Sequence, residues 1–356
     1  MAEIPVSSEE SRVLLAELPG LLLPWFAENA RDLPWRRDRE PYHVWLSEIM
    51  LQQTRAEAVK GHYRRFLTAL PTVGELANAD PDALHKLWEG LGYYSRVRNL
   101  QAAAKTVMAE YSGAFPRTFD EIRALPGIGP YTAGAICSIC YDLPTPAVDG
   151  NVLRVISRLM AWDACIDHYS TKKAVHDALA SVYPPQAGTF TQSLMELGAT
   201  VCVPNGAPNC EACPLRGICR ACANGDQNRY PTRQKKKERR IEDRTLFVLR
   251  CGQDEAVCKR PKRGLLADLW EYPNVEGTLT AEQAIAQAGA WGCEPGELQM
   301  QLDRVHIFTH VQWNLRCYYI VCRAEPEGFV WASPERMEKE IALPTAFRMF
   351  MNAKTP

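Results

Sequence analysis

Neither sign of charge prevails in this chain: 41 Lys and Arg stand against 42 Asp and Glu, for a formal net charge of −1. That balance excludes a protein held to a polyanion by one broad cationic field, so any affinity for phosphate has to come from local clusters and backbone amides. Long apolar runs are missing as well. No uninterrupted stretch approaches the ~20 residues that a membrane helix needs, which excludes a membrane-spanning helix. The opening Met1-Ala-Glu-Ile-Pro5 is acidic and polar, unlike a secretory signal. Without such a signal, the 13 cysteines read as reduced thiols and metal ligands rather than a disulfide framework. What is present is an apolar content of 46% beside 23% charged residues, the composition of a soluble globular protein. At ~150 residues per domain, the length of 356 residues suggests two domains.

The stretch Leu125-Pro-Gly-Ile-Gly-Pro-Tyr-Thr-Ala-Gly134 is the clearest backbone signal. Thr118 and Glu121 have capping-box spacing ahead of a short helix, and Gly127 and Gly129 free the backbone for a tight turn. Pro130 suits the first position of a second helix, which Ala133, Gly134, Ala135 and Ser138 keep thin enough for close packing. Such a turn leaves N–H groups unpaired at a helix N-terminus, where they can hold a phosphate; an ordinary helix connection would use the same residues. Asp149 follows in a proline- and glycine-flanked turn, beside an Asn151 able to cap the helix Val152–Leu159.

From Trp25 to about Tyr111 apolar residues return every three or four positions, as in Val97, Leu100, Ala104, Val107 and Tyr111, which predicts helices. In Val44–Thr54 a single charge, Glu48, shares a helix face with Trp45, Leu51 and Gln52. A carboxyl on such a face holds its proton longer, as a general acid requires, although an isolated helical Glu is more often solvated. Between helices, Leu91-Gly-Tyr-Tyr-Ser-Arg-Val-Arg98 sets two tyrosines beside two arginines, either a packed aromatic corner or a wedge that holds a base stack open.

Cys202, Cys210, Cys213 and Cys219 form a C-x7-C-x2-C-x5-C run, a spacing that ligates zinc or an iron-sulfur cluster; Cys222 makes a second C-x2-C with Cys219. Arg229–Arg240 is a charged stretch without apolar periodicity, either a solvated linker or a segment that tracks phosphates. Beyond Arg244 the period changes to two in Thr245–Leu249, Val305–Phe308 and Cys317–Cys322, with a helical Ala281–Ala288 between them. This describes an α+β domain.

The combination LPGIGPYTAG with AVDGNV resembles the MutY adenine glycosylases of the helix-hairpin-helix superfamily, and the resemblance runs from about Pro24 to Pro356. It implies a mainly α glycosylase domain over 1–228, with its helix-hairpin-helix at 118–140 and an iron-sulfur loop at 202–219. A basic linker over 229–244 and a Nudix-like α+β lesion-recognition domain over 245–356 would follow. The Nudix glutamate-rich helix REx2EE is lacking, so pyrophosphate hydrolysis is not expected of it. By the same resemblance Glu48 protonates the leaving adenine, and Asp149 stands beneath the oxocarbenium-like sugar, organised by Tyr131 and Asn151. Tyr93 is the intercalating residue, Leu91 lies close to the flipped base, and Gln53 and Thr54 lie near the estranged guanine. Arg36, Gly127, Gly129 and Gln192 complete the implied DNA contacts, and Phe308-Thr309-His310 stands where the family usually has a Phe-Ser-His contacting 8-oxoguanine.

The implied cofactor is a [4Fe-4S] cluster on Cys202, Cys210, Cys213 and Cys219, although the family's first spacing is usually six residues rather than seven. Endonuclease III-type enzymes carry a Schiff-base lysine at the position of Tyr131. No lysine stands between Lys105 and Lys172, so water rather than an amine should accept the sugar. The expected protein is a monomer in a bacterial cytosol, acting on duplexes with adenine opposite 8-oxoguanine or guanine. An endonuclease III-type lyase and a non-catalytic iron-sulfur DNA-binding protein are the alternatives.

Overall fold

The computed structural model describes residues 9–235 and 238–351. The readings that fall on Met1–Pro5, on Lys236 and Lys237 of the basic stretch and on residues 352–356 lie outside the described residues. The chain forms two compact units: the described residues up to Asn78 with Arg98–Lys235, and Ala79–Val97 with the described residues after Lys235. No described helix is long and apolar enough to cross a membrane.

The first unit is helical, and its helices begin where the local chemistry favours it. Pro41 and Pro130 occupy the first turns of the helices Pro41–Leu51 and Pro130–Tyr141, where a missing N–H costs nothing. Thr118 and Glu121 form the expected capping box on Phe119–Ala124, the hydroxyl of Thr118 donating to Glu121 Oε2 at 2.6 Å. Leu15, Leu18 and Leu22 from the N-terminal helices meet Val152, Ile156 and Leu159 of the Gly150–Leu159 helix and Phe190, Leu194 and Leu197 of the Ala187–Thr200 helix. These residues recur three or four positions apart, so each helix buries one stripe.

The second unit is built on a mixed sheet of β1 (Arg240–Cys251), β2 (Asp254–Lys259), β3 (Trp270–Glu271), β4 (Asn274–Glu276), β5 (Pro295–Ile307), β6 (Val311–Cys322) and β7 (Val330–Ala332). The strand order is β3-β2-β1-β6-β5, with β4 on β1 and β7 on β2. Only β1 and β6 run parallel among these pairs, with Leu246 opposite Cys317 and Leu249 opposite Ile320. Leu246 and Val248 face a core with Phe347 and Phe350, while Phe247 and Leu249 face one with Ala284 and Ala288 of the Ala281–Ala290 helix. Because both faces are covered, Leu246–Leu249 is an unbroken apolar run. β5 stops at Ile307, one residue earlier than the alternation suggests, so Phe308-Thr309-His310 forms the turn into β6.

Ala79–Val97 packs with this unit although it lies far upstream in sequence. Asp80 caps the helix Pro81–Leu87, accepting from the Asp82 and Ala83 N–H groups, and Lys86 Nζ donates to Ile341 O at 2.9 Å. Glu89 accepts the Leu343 N–H at 3.0 Å and pairs with Arg348 at 3.0 Å, while Asp82 pairs with Lys259 at 2.6 Å.

Candidate active site

Three elements of the helical unit bring Glu48, Tyr131, Asp149 and Asn151 together. Glu48 lies in the last turns of Pro41–Leu51 and Tyr131 in the first turn of Pro130–Tyr141. Asp149 is the N-cap of Gly150–Leu159. Gly134 lets the segment leading to Asp149 approach, since a Cβ there would lie 2.3 Å from Pro146 O. The Tyr131 hydroxyl donates to Glu48 Oε2 at 2.5 Å. Glu48 is only 5% exposed, and burial pushes its carboxyl up to about 7. The Tyr131 hydrogen bond and the charge of Arg36 oppose that rise, whereas Asp149 adds to it. Burial also raises Asp149, but its carboxylate accepts from the Val152 N–H at 2.8 Å and from Asn151 Nδ2 at 2.7 Å, which favours the ionised form. Two carboxyls therefore stand in different settings, one against a single hydroxyl and one in a ring of N–H donors.

Asn151 does not cap the helix, as its position suggests; Asp149 does, because Asn151 already lies inside the first turn and turns its amide back onto Asp149. Arg154 fixes that amide, donating from Nη2 to Asn151 Oδ1 at 2.9 Å and to Gly198 O at 2.6 Å, and from Nε to Cys202 O at 2.7 Å. A second ion network carries Arg36, which donates to Glu196 Oε2 at 2.8 Å while Arg31 Nε donates to Oε1 at 2.7 Å. Burial alone would raise Glu196, but these two guanidiniums hold it at about 2. Gln192 lies half-buried on the same Ala187–Thr200 helix. Arg31, Arg154, Arg158 and Glu196 escape sequence reading; the available signal for three of them was a charge inside an apolar helix, the signal that marks Glu48.

The hairpin separates the roles of its two glycines. Gly127 has φ of +76°, and a Cβ there would come within 2.5 Å of Asn99 Cβ. Gly129 is instead extended at φ −93°, caps the Pro130–Tyr141 helix and has nothing within 4 Å of a Cβ position, so the turn needs only one of them. Gln53, in the turn after the Glu48 helix, takes a left-handed φ of 57°, an uncommon conformation for its residue type. Thr54 beside it donates from its hydroxyl to Gln52 O at 3.3 Å.

In the second unit Leu91 is buried, whereas Tyr93 is 48% exposed, again with a left-handed φ, at 47°. Its hydroxyl lies 2.9 Å from Thr309 Oγ1 in the β5–β6 turn. Phe308 packs edge-on against His306 and against Trp313, at centroid distances of 4.5 and 4.9 Å, while Thr309 and His310 are exposed.

The cysteines of the 202–222 loop act electrostatically on one another: Cys202, Cys210 and Cys219 all raise Cys213, which burial first pushes up to about 12. Cys222 hydrogen-bonds to Cys210. Arg158 Nη1 donates to Cys202 Sγ at 3.2 Å. Among the described residues no three ligating side chains converge closely enough to hold an ion as they stand. Four partly buried sulfurs against an apolar core, whose thiolate forms would repel one another without a cation between them, nonetheless fit a sulfur-ligated cationic centre.

Residues 46–185 match the family described as HhH-GPD superfamily base excision DNA repair protein, and residues 245–353 match the NUDIX domain. The chain is 35% identical to an adenine DNA glycosylase of Mus musculus over 92% of its own length and 77% of that protein. It is 33% identical to one of Homo sapiens, over 93% and 73%. A solved thermostable thymine-DNA glycosylase superposes with a TM-score of 0.54 at 27% identity, covering 60% of this chain and 98% of that one. A trapped endonuclease III–DNA covalent intermediate superposes with a TM-score of 0.50 at 24% identity, over 61% and 97%, a likeness of fold alone.

Proposed function

The chain belongs to the adenine DNA glycosylase family, and from that premise we propose that it is a monomeric enzyme hydrolysing the N-glycosidic bond of adenine opposite 8-oxoguanine or guanine. The observation that carries the chemistry is Glu48, buried, near its midpoint at neutral pH and within reach of Tyr131 and Asp149. Tyr131 donates to Oε2, so the transferable proton sits on Oε1. Burial, then the charges of Glu48 and Asp149, hold the tyrosine hydroxyl well above its ordinary value, so it serves as a donor and not as a nucleophile. Glu48 gives its proton to the leaving adenine as the bond from C1′ to the base breaks. Asp149, whose ionised form the Val152 and Asn151 N–H groups favour against its burial, would offset the positive charge that grows on the sugar. Water adds its hydroxyl to C1′ and returns its other proton to a carboxylate. No lysine from this segment can form a Schiff base.

Cys202, Cys210, Cys213 and Cys219 would hold a [4Fe-4S] cluster, which supplies a rigid cross-link for the loop rather than a chemical step. Purified protein should then be brown and contain iron; colourless protein with one bound zinc would reverse the assignment. Tyr93, Gln53, Thr54 and the Phe308–His310 turn engage the duplex. Their support is geometric: two of them adopt strained backbone, and the turn presents exposed polar groups behind an anchored phenylalanine. The deciding measurement is base release under single-turnover conditions from duplexes with adenine opposite 8-oxoguanine or guanine, scored with and without alkali. Adenine release with strand breaks only after alkali is the expected result. Strand cleavage without alkali would mark a lyase instead.

A further inference from the structure

We propose that Arg233 binds the DNA phosphate flanking the target nucleotide and thereby positions the sugar at Asp149. The inference rests on the glycosylase reading above and gives one residue of the basic stretch a defined task. That stretch is not a free linker at this point. Tyr230 O accepts from Arg158 Nε at 3.1 Å, and Thr232 O accepts from the Ile166 N–H at 3.0 Å. On the other side the Gln234 N–H donates to Asp167 Oδ2 at 2.9 Å. Arg233 is thus held from both sides by the helical unit.

Its side chain reaches the residue next to Asp149. Arg233 Nη2 lies 3.8 Å from the place a Cβ on Gly150 would occupy, and beyond Gly150's chain neighbours and its own helix backbone no other group comes within 4 Å of that place. Gly150 is not among the residues with left-handed φ, so neither its backbone nor its neighbours require a glycine. The missing side chain leaves the side of Gly150 that faces Arg233 uncovered, one residue after Asp149. Arg233 itself is exposed, and among the described residues no carboxylate pairs with it. The charge it does act on is another cation, Arg154. A guanidinium without a carboxylate partner, on a tethered backbone and beside the uncovered Gly150 next to Asp149, is suited to an anion that arrives with the substrate. In DNA that anion is a phosphodiester, whose two non-bridging oxygens match the guanidinium fork.

The placement also has a chemical consequence. An unpaired phosphate near Asp149 would add a second negative charge and favour the protonated acid, which cannot stabilise the sugar cation. A guanidinium on that phosphate offsets the effect. Because phosphate contacts position without reading sequence, loss of Arg233 should affect both mispairs alike.

The test uses the full chain as wild type, Arg233→Gln and Arg233→Lys. Binding is measured by salt titration in a Glu48→Gln background, and excision by single turnover. One set of duplexes carries a neutral methylphosphonate at one or the other phosphate flanking the target adenosine. Arg233→Gln should bind about tenfold more weakly and lower the salt slope by about one charge, while Arg233→Lys keeps the slope. A neutral linkage on one side should weaken the wild type by a similar factor and Arg233→Gln hardly further. Equal affinity and salt slope for wild type and Arg233→Gln would overturn the assignment, as would neutral linkages that weaken both proteins equally. Failure of the wild type to release adenine would instead overturn the glycosylase reading, so the two failures are separable.

Discussion

Glu48, the acid of the proposed reaction, is costly to the fold. Burial lifts its carboxyl from 4.5 to about 7, so the unfolded chain releases the proton more readily than the native one. Its contribution is present in full below pH 4.5 and is lost as pH rises through about 7. Above that pH the native state carries a buried charge, a penalty of roughly 3 kcal/mol from the size of the shift. Glu48→Gln should therefore abolish excision, keep duplex binding and stabilise the protein above pH 7 by up to about that amount, with little gain at pH 4. Denaturant unfolding at both pH values, beside a single-turnover assay, checks all three. Excision near the wild-type rate would sink the acid assignment, and a pH-independent stability change would sink the buried-charge account. The wild-type single-turnover rate should likewise fall as pH rises through about 7.

At the scale of elements, the helix-hairpin-helix places two glycines two residues apart under opposite constraints. Gly127→Ala would force a side chain into a left-handed φ and onto Asn99, costing about 2–4 kcal/mol of stability. Gly129→Ala meets nothing in the chain and should change stability by no more than about 0.5 kcal/mol, yet it should weaken duplex binding by crowding the helix N-terminus. Melting curves and binding isotherms of the two variants should thus order oppositely; similar binding by Gly129→Ala and wild type would remove the clamp role from that glycine. The Ala187–Thr200 helix is tied to the N-terminal segment by Glu196, whose carboxyl is held at about 2 by Arg31 and Arg36 against its burial. A depressed carboxyl stabilises above its unfolded value of 4.5 and loses that effect as pH falls toward about 2. Glu196→Gln should accordingly cost roughly 3 kcal/mol at pH 7, and less at pH 3, by chemical denaturation. These elements also show what a sequence makes legible. The Thr118–Glu121 cap and the Asp80 cap are local and could be read directly. The Glu48–Tyr131 contact joins residues 83 positions apart and the Arg31–Glu196 pair residues 165 apart. The motif resemblance set Glu48 and Tyr131 in one site but assigned the tyrosine to Asp149, whereas its hydroxyl donates to Glu48; nothing in the sequence pointed to the second, because a charge in an apolar helix does not name its partner. The same local reading put the cap on Asn151, where side-chain direction rather than residue type decided for Asp149.

On the scale of the whole molecule, the chemistry and the candidate lesion-reading groups belong to different compact units. Glu48, Tyr131 and Asp149 lie in the helical unit, while Phe308, Thr309 and His310 lie in the sheet unit together with Tyr93. Groups that touch only the base opposite adenine should alter differential binding and leave proton transfer unchanged. Cutting the chain after Lys235 is a poor test of this division. It would also remove Ile341, Leu343, Arg348 and Lys259, the partners of Lys86, Glu89 and Asp82 in the segment that carries Leu91 and Tyr93. Substitutions in the full chain avoid that damage. Phe308→Ala removes the ring that packs on Trp313, and His310→Ala removes an exposed imidazole, both within the sheet unit. Contacts of this kind are worth roughly 1–3 kcal/mol, so each variant should lower the preference for adenine opposite 8-oxoguanine over adenine opposite guanine by about tenfold or more. The rate on adenine opposite guanine should stay near that of the wild type. Thr309→Val, which keeps a methyl but removes the hydroxyl bonded to Tyr93, tests whether the turn and the tyrosine act as a pair. Single-turnover excision of both substrates by the four full-length proteins decides the matter: an unchanged ratio throughout would leave lesion choice to Gln53, Thr54 and Leu91.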